Sequence, residues 1–415
     1  MTLSTLLSRM CEKASRNRLL KASFGWETRH HLARPFVWLW RRLSAWGLKY
    51  LIARPVSLAQ RLLGIELVFP GTYWRIGHFA FEIDQYLKSL VIEKRNVRPL
   101  FLLCRKNVAN PYLLKLWEKR CRIIGLTPGL ERRLLRIPVA TRNYLFKYLL
   151  EPYAKPGILS FYEGPPMVEI PLEDRKAGED GVRALGVPDG AWFACVHIRE
   201  RGFLPELDYH QFRDCDPLNY IPAMEWIVQQ GGYVIRMGDP TMTELVERRG
   251  IIDYAHSDSK SPFMDVYLSS QCRFFLGTTS GLFLVAYIFH RPVALADFIP
   301  FTDIISYPHT CYIPRTVFSN AENRCLTYRE IQKKHVLYHA PQYEERGLTV
   351  RPNDPLEILD LTREAWAALV EGKEALDGDP WMRDFDRFLV DSGFPSNSPA
   401  RIGRAFMRAH KELFS

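Results

Sequence analysis

Residues 264–296 read MDVYLSSQCRFFLGTTSGLFLVAYIFHRPVALA, and their alternation decides the class of fold. MDVYLSSQ (264–271) has helical spacing, and RFFLG (273–277) is a short apolar run ending in glycine. GLFLVAYIFH (281–290) reads as a buried helix and PVALA (292–296) as a second strand. Helix-strand-helix-strand order favours parallel strands in one sheet with helices packed on it. The pattern continues upstream. LEDRKAGEDGVRALG (172–186) is a helix closed by Gly186, and WFACVHI (192–198) is a strand. DPLNYIPAMEWIVQQGG (216–232) is a helix capped by Asp216 with Pro217 at its first position, and YVIRM (233–237) is a strand. The expectation is a doubly wound sheet of at least four strands.

An earlier run repeats the alternation. IELVF (65–69) is a buried strand, PGTYWRIGH (70–78) a glycine-bearing loop and FAFEIDQYLKSLVI (79–92) a helix. PLFLLC (99–104) is a strand, and LLKLWEKRCRII (113–124) a helix after Asn110-Pro111. Residues 126–171, rich in Pro, Tyr and Arg, carry no assignable pattern. The expected organisation is an arm over 1–63, a first Rossmann-like domain over 64–171, a second over 172–352 and a helical tail over 353–415. The last tail helix is expected to open at Ser398-Pro399.

Of 415 residues, 47% are hydrophobic and 25% charged, the balance of a folded chain able to bury more than one core. The net charge of +10 is local. Residues 1–61 hold twelve Lys and Arg against Glu12 and Glu27, which is the whole excess. A neutral body with a basic extension suggests a tether rather than a nucleic-acid surface. Between Pro35 and Pro55, helical spacing puts Phe36, Leu39, Trp40, Leu43, Trp46, Gly47, Tyr50 and Leu51 on one face, with Arg41, Arg42, Ala45 and Lys49 opposite. Pro35 suits the first turn of such a helix and Pro55 ends it. Two readings stay open: an interfacial anchor on an anionic membrane, or a core helix with a solvated basic side. No apolar run approaches the ~20 residues of a spanning helix. The eight cysteines have no C-x-x-C spacing and no signal-peptide core precedes them, so reduced thiols are expected.

The chemistry collects where strands end. In VHIRERG (196–202), His197 and Arg199 share one face as the strand runs out. YVIRMGD (233–239) finishes with Arg236, Gly238 and Asp239, and RFFLGTTSG (273–281) with Gly277, Thr278, Thr279, Ser280 and Gly281 before a helix. Carboxyl ends of neighbouring parallel strands line one crevice. Arginines and a helix N-terminus there favour a phosphorylated ligand, most simply a nucleoside diphosphate. Asp239 reads either as a ribose contact or as a turn-closing side chain, and Asp216 as a cap. Arg213 and Asp214 lie in a loop that could close over the ligand. In the first domain, Gly77 reads as relief of a tight turn or as part of an acceptor-facing loop. His78, Glu82 and Asp84 are candidates to touch the acceptor or take its proton. There is no P-loop, dinucleotide fingerprint or nucleophile elbow. No D-x-D or metal-ligand spacing occurs, so no obligatory metal is expected.

Taken in this order, RIGH (75–78), VHIRE (196–200), FRDCDPLNYIPAMEWIVQQGGYVIRMGD (212–239), MDVYLSSQCRFFLGTTSG (264–281) and RPV (291–293) resemble a family of bacterial glycosyltransferases from surface-polysaccharide gene clusters. More distantly, H-x-R closing a strand and G-T-x-S opening a helix are similar to the donor half of the fucosyltransferase-like enzymes. The resemblance implies a GT-B-like α/β fold of two Rossmann-like doubly wound domains, with the nucleotide-sugar held by the second. It implies that Arg199 contacts the donor diphosphate and that Thr279 and Ser280 bond phosphate oxygens. After H-x-R this chain reads ERGFLPELD (200–208), where many fucosyltransferases carry an acidic, lysine-containing stretch, so GDP-fucose is not assigned. The implied activity is transfer from a nucleotide-sugar to a surface polysaccharide or lipid-linked glycan at the cytoplasmic membrane face. Its alternative is a non-catalytic glycan-assembly subunit that keeps the fold.

Overall fold

The computed structural model describes residues 47–137, 139–149, 165–200, 208–300, 310–333, 339–370, 380–391 and 400–414. The chain divides into two compact units, one of Met1–Phe69, Val97–Leu100 and Leu126–Tyr148, the other of Pro70–Asn96, Phe101–Gly125 and Leu149–Ser415.

The first described residues form a π-helical turn, Leu48–Ala53, running into helix α1, Arg54–Leu63. Pro55 does not end a helix: it is the second residue of α1, and the chain before it is already helical through the π-helical turn. Residues 36–46 of the expected amphipathic helix lie outside the described residues. Strands β1 (Ile65–Pro70), β2 (Arg98–Leu103), β3 (Arg122–Gly125) and β4 (Lys147–Leu149) form a sheet in the order β3-β2-β1-β4. Helix α2, Ile76–Ile92, starts three residues earlier than its periodicity suggests, taking in Gly77 and His78. Helix α3, Pro111–Arg120, is capped by Asn110 and stops at Cys121. The apolar pair Ile123-Ile124, expected at the end of this helix, belongs to β3. β-Branched residues fit a pleated surface better than a helix end.

The seven-stranded sheet that follows positions the site. It is built from β5 (Phe193–His197), β6 (Tyr233–Arg236), β7 (Ile251–Ile252), β8 (Phe275–Gly277), β9 (Val293–Phe298), β10 (Thr310–Pro314) and a short β14 (Arg401–Ile402). Their order is β7-β6-β5-β8-β9-β10-β14, and every neighbouring pair is parallel. All five residues of β5 are buried, as suits a central parallel strand covered on both faces. From β5 the chain winds outward through β6 and β7, then returns to β5's other side with β8. The β5/β8 boundary is therefore the topological switch point of a doubly wound sheet.

Crossover helices are Leu172–Ala184 (α4), Ile221–Gln229 (α5), Pro262–Gln271 (α6) and the short Phe283–Ile288 (α7). Asp216 caps, as expected, but what it caps is a 3-10 turn, Pro217–Tyr220, ahead of α5. A small antiparallel sheet of β11 (Thr316–Ser319), β12 (Arg324–Cys325) and β13 (Leu348–Arg351) was not legible in the sequence pattern. It covers an apolar cluster of Ile299, Val317, Leu326, Tyr343 and Leu348. The tail holds helices Pro355–Val370 (α8), Pro380–Asp391 (α9) and Arg404–Ala409 (α10), and it also supplies β14. Ser398 and Pro399 lie outside the described residues, and the last α-helix opens at Arg404 behind Gly403. Among the described residues no helix is long and apolar enough to cross a membrane. Cys104, Cys121, Cys195, Cys215, Cys272, Cys311 and Cys325 are free thiols.

Candidate active site at the switch point

Thr278 ties together the two strand ends that flank the switch point. Its N–H donates to the carbonyl of His197 at 3.2 Å, and its Oγ1 accepts from the Arg199 N–H at 3.0 Å. Gly277 makes the closure possible, because a Cβ there would lie 3.0 Å from the His197 carbonyl and 2.9 Å from the Phe275 ring. The sequence-derived cluster of His197, Arg199, Gly277 and Thr278 is thus one physical place.

His197 is 9% exposed, and its Nδ1 is buried with no hydrogen-bond partner among the described residues. Burial, and then the charges of Arg236 and Arg199, push its pKa down to about 3. The imidazole is therefore neutral at physiological pH, a hydrogen-bonding group without charge. Nearby, the Ser280 hydroxyl is also buried without a partner. Thr279 uses Oγ1 to accept from the Ile299 N–H at 2.9 Å, which leaves its own O–H to donate. Buried polar atoms left open at a strand-end crevice are what a ligand or water would satisfy.

Arg199 is held from the side. Its Nε donates to Asp214 at 3.3 Å, and its carbonyl accepts from the Cys215 N–H at 2.9 Å. The 212–215 loop is in turn clamped by Arg315. That guanidinium donates to the carbonyls of Phe212 (2.6 Å) and Asp214 (2.8 Å) and to Asp297 (3.0 Å). Asp297, at the end of β9 with a left-handed φ of +54°, also accepts from the Tyr220 hydroxyl (2.8 Å) and the Asn353 N–H (2.8 Å). Nothing in the local sequence marked this clamp, since Arg315, Asp297, Tyr220 and Asn353 meet only in three dimensions.

Arg236 departs from expectation. It is fully buried, and its terminal nitrogens donate to Glu200 (2.6 Å) and Asp253 (2.9 Å). A guanidinium so paired positions Glu200, which accepts from the Thr243 N–H at 2.9 Å, while the Arg236 Nε is buried with no partner among the described residues. Asp239 accepts from the N–H of Thr241 at 2.9 Å and from its hydroxyl, the turn-closing one of its two readings. Gly238 has φ +153°, and a Cβ there would meet the Met242 sulfur at 2.2 Å.

The acceptor-side residues separate. A Cβ on Gly77 would come within 2.6 Å of the Gly281 Cα, so two backbones cross at these glycines and only glycine fits. That crossing brings the first turn of α2 against the G-T-T-S-G bend. On this turn His78 Nδ1 lies 2.8 Å from Glu82, whose other oxygen accepts from the Gly71 N–H at 3.1 Å. A carboxylate only accepts, so Nδ1 carries a proton, and in the neutral ring the lone pair is on Nε2. Glu82 is buried while the His78 side chain is 40% exposed, the arrangement of an oriented base. Asp84 does not join them. It is wholly buried in an ion pair with Lys88 at 2.7 Å. Burial raises the Asp84 pKa and lowers that of Lys88, whose Nζ lies 3.4 Å from His290 Nε2. No group of metal-binding side chains occurs among the described residues.

No protein-family model matches the chain, and no curated protein matches it either. Among solved structures, the chain is similar to the glycosyl transferase family 9 protein of Veillonella parvula, at 11% identity and a TM-score of 0.46, over 74% of this chain and 98% of that one. It is similar to the ADP-heptose lipopolysaccharide heptosyltransferase II of E. coli at 12% identity and 0.39, over 60% and 90%. It is also similar to the UDP-GlcNAc 2-epimerase of Methanocaldococcus jannaschii at 12% identity and 0.26, over 75% and 80%. Likeness at this level says nothing of the reaction, which has to be argued from the side chains.

Proposed function

We propose that this chain is a glycosyltransferase, moving a sugar from a nucleotide-sugar donor to a growing surface polysaccharide or lipid-linked glycan at the cytoplasmic membrane face. The observation that carries the reading is the Thr278 bridge. Through it Arg199 and the G-T-T-S-G bend stand together at the switch point, where ligands of doubly wound sheets bind. Arg199 supplies positive charge to the departing diphosphate, and the hydroxyls of Thr279 and Ser280 bond its oxygens. His197 adds a neutral hydrogen bond. The acceptor hydroxyl gives its proton to Nε2 of His78, oriented by Glu82, as its oxygen bonds the anomeric carbon. The bond from that carbon to the diphosphate breaks, and its electron pair leaves on phosphate oxygen. No metal is required by these roles. The basic residues within 1–61 are assigned to an anionic membrane surface.

A thermal-shift screen over UDP-, GDP-, dTDP- and CMP-sugars identifies the donor, and Arg199→Ala tests the site. The variant should melt near the wild type, yet lose ~10²–10³-fold in transfer rate, the scale of one missing electrostatic stabiliser. Near-normal turnover in a folded variant removes Arg199 from the site. A wild type stabilised by none of the nucleotides defeats the reading.

A further inference from the structure

Helix α1 turns its largest apolar side chains outward. Toward its own unit it turns Ala53, which precedes it and is fully buried, and the half-buried Val56, Ser57 and Gln60. The Gln60 side chain donates to the Leu145 carbonyl at 2.9 Å and accepts from the Leu67 N–H at 2.8 Å. Solvent receives the leucines: Leu51 is 72% exposed, Leu58 58% and Leu62 79%, with Ile52 and Leu63 exposed beside them. Spacings of seven and four residues put Leu51, Leu58 and Leu62 on a single stripe. Leucines outward over an inward face of small and mixed residues depart from an ordinary surface helix, and such a patch marks an interaction site.

Charge selects the occupant. Arg54 and Arg61, both exposed, flank the stripe. The Arg54 guanidinium sits 4.5 Å from the centre of the Tyr50 ring, and Lys49 5.4 Å from that of Tyr144. No acid occurs between Glu27 and Glu66, and the whole net charge of the chain falls in residues 1–61. A second copy docking through the same patch would bring two such basic segments together, which like-charge repulsion opposes. An anionic lipid surface accepts both features at once, leucines into the acyl boundary and arginines among the headgroups.

We infer that the outward stripe of Leu51, Leu58 and Leu62, flanked by Arg54 and Arg61, seats this protein on an anionic membrane surface. The inference rests on the membrane part of the proposed function and not on its chemistry. It moves the anchoring residues to 51–62, later in the chain than the tryptophan-bearing segment. The test uses the full chain, sedimented with phosphatidylcholine vesicles with and without phosphatidylglycerol. The wild type should bind only the anionic vesicles, and added salt should weaken it. The triple variant Leu51→Asn, Leu58→Asn, Leu62→Asn keeps every charge and should lose at least ~10-fold in partitioning with an unchanged melting point. As an independent measurement, Leu58→Cys carrying an environment-sensitive dye should shift to the blue on anionic vesicles.

A wild type that ignores anionic vesicles defeats the membrane reading as a whole. A triple variant that binds like wild type, with no dye shift, defeats the stripe and leaves the earlier basic residues as the seat. A wild-type dimer in light scattering that the triple variant dissolves gives the stripe to a second copy. Nucleotide binding is unaffected in every case, so failure here is distinguishable from failure of the transferase reading.

Discussion

A histidine 9% exposed between two arginines does not hold a proton at neutral pH, and His197 therefore makes stability depend on acid. Its folded pKa, pushed down to about 3 first by burial, lies below the unfolded value of about 6.5. Between those values the unfolded chain binds more protons, so the contribution is full above about pH 6.5 and is lost as pH falls. By about pH 4.5 the loss amounts to roughly 2–3 kcal/mol. Urea unfolding of wild type and His197→Gln near neutral pH and near pH 4.5 checks this. The variant should lose less stability on acidification by about that amount, and equal losses would mean that the ring does not titrate as a buried neutral group. At this scale the sequence was half legible. His197, Arg199 and Thr278 sit at strand ends, and strand ends are local features. The partners of Arg236 and Asp84 were not legible: Lys88 is four residues from Asp84, but whether an i,i+4 pair is solvated or buried depends on what packs over it.

Between elements, the crossing of α2 and the G-T-T-S-G bend makes a prediction whose sign discriminates. Alanine in place of a glycine inside a helix ordinarily stabilises by about 0.5–1 kcal/mol. Gly77→Ala should instead destabilise by about 1–3 kcal/mol, because its Cβ would meet Gly281 backbone at 2.6 Å and backbone cannot swing aside as a side chain can. Thermal unfolding gives the sign. Transfer activity should fall further than stability does, since the His78–Glu82 pair moves away from the bend. A stabilised, fully active variant would show that the crossing is loose. Gly77 was legible as a special residue, and two readings of it were open. Its partner 204 positions away was not, because no local pattern pairs two glycines across such a distance.

Over the whole molecule, the tail completes the sheet. Ile402 in β14 pairs with Tyr312 of β10, and Glu364 of α8 accepts from the N–H groups of Arg404 (2.7 Å) and Ala405 (2.8 Å), holding the start of α10. Phe414 packs against Tyr328 and Phe388 at ring-centre distances of 5.0 and 5.5 Å. Ile402, Phe406, Met407, Leu413 and Phe414 are all buried. A chain ending at residue 399 loses the cover over Tyr328, Phe388 and Tyr312 and should melt well below the wild type, whereas a tail that merely decorated the fold could be removed freely. Calorimetry decides it, and a transition within a few degrees of wild type would show β14 and α10 to be dispensable.

Composition and periodicity alone determined the α/β class, the strand ends that carry Arg199 and the Gly-Thr-Thr-Ser-Gly bend, and the confinement of positive charge to residues 1–61. Each of these is written in neighbouring residues, as a spacing, a turn residue or a count. Tertiary structure decided the rest: the strand order that makes the β5/β8 boundary a switch point, and the outward turn of Leu51, Leu58 and Leu62. It also decided the Arg315–Asp297 clamp behind Arg199 and the removal of Arg236 and Asp84 into buried ion pairs. These depend on which groups meet after the chain has turned back on itself. Burial and ion pairing are set by that meeting and leave no periodic mark in either partner's surroundings.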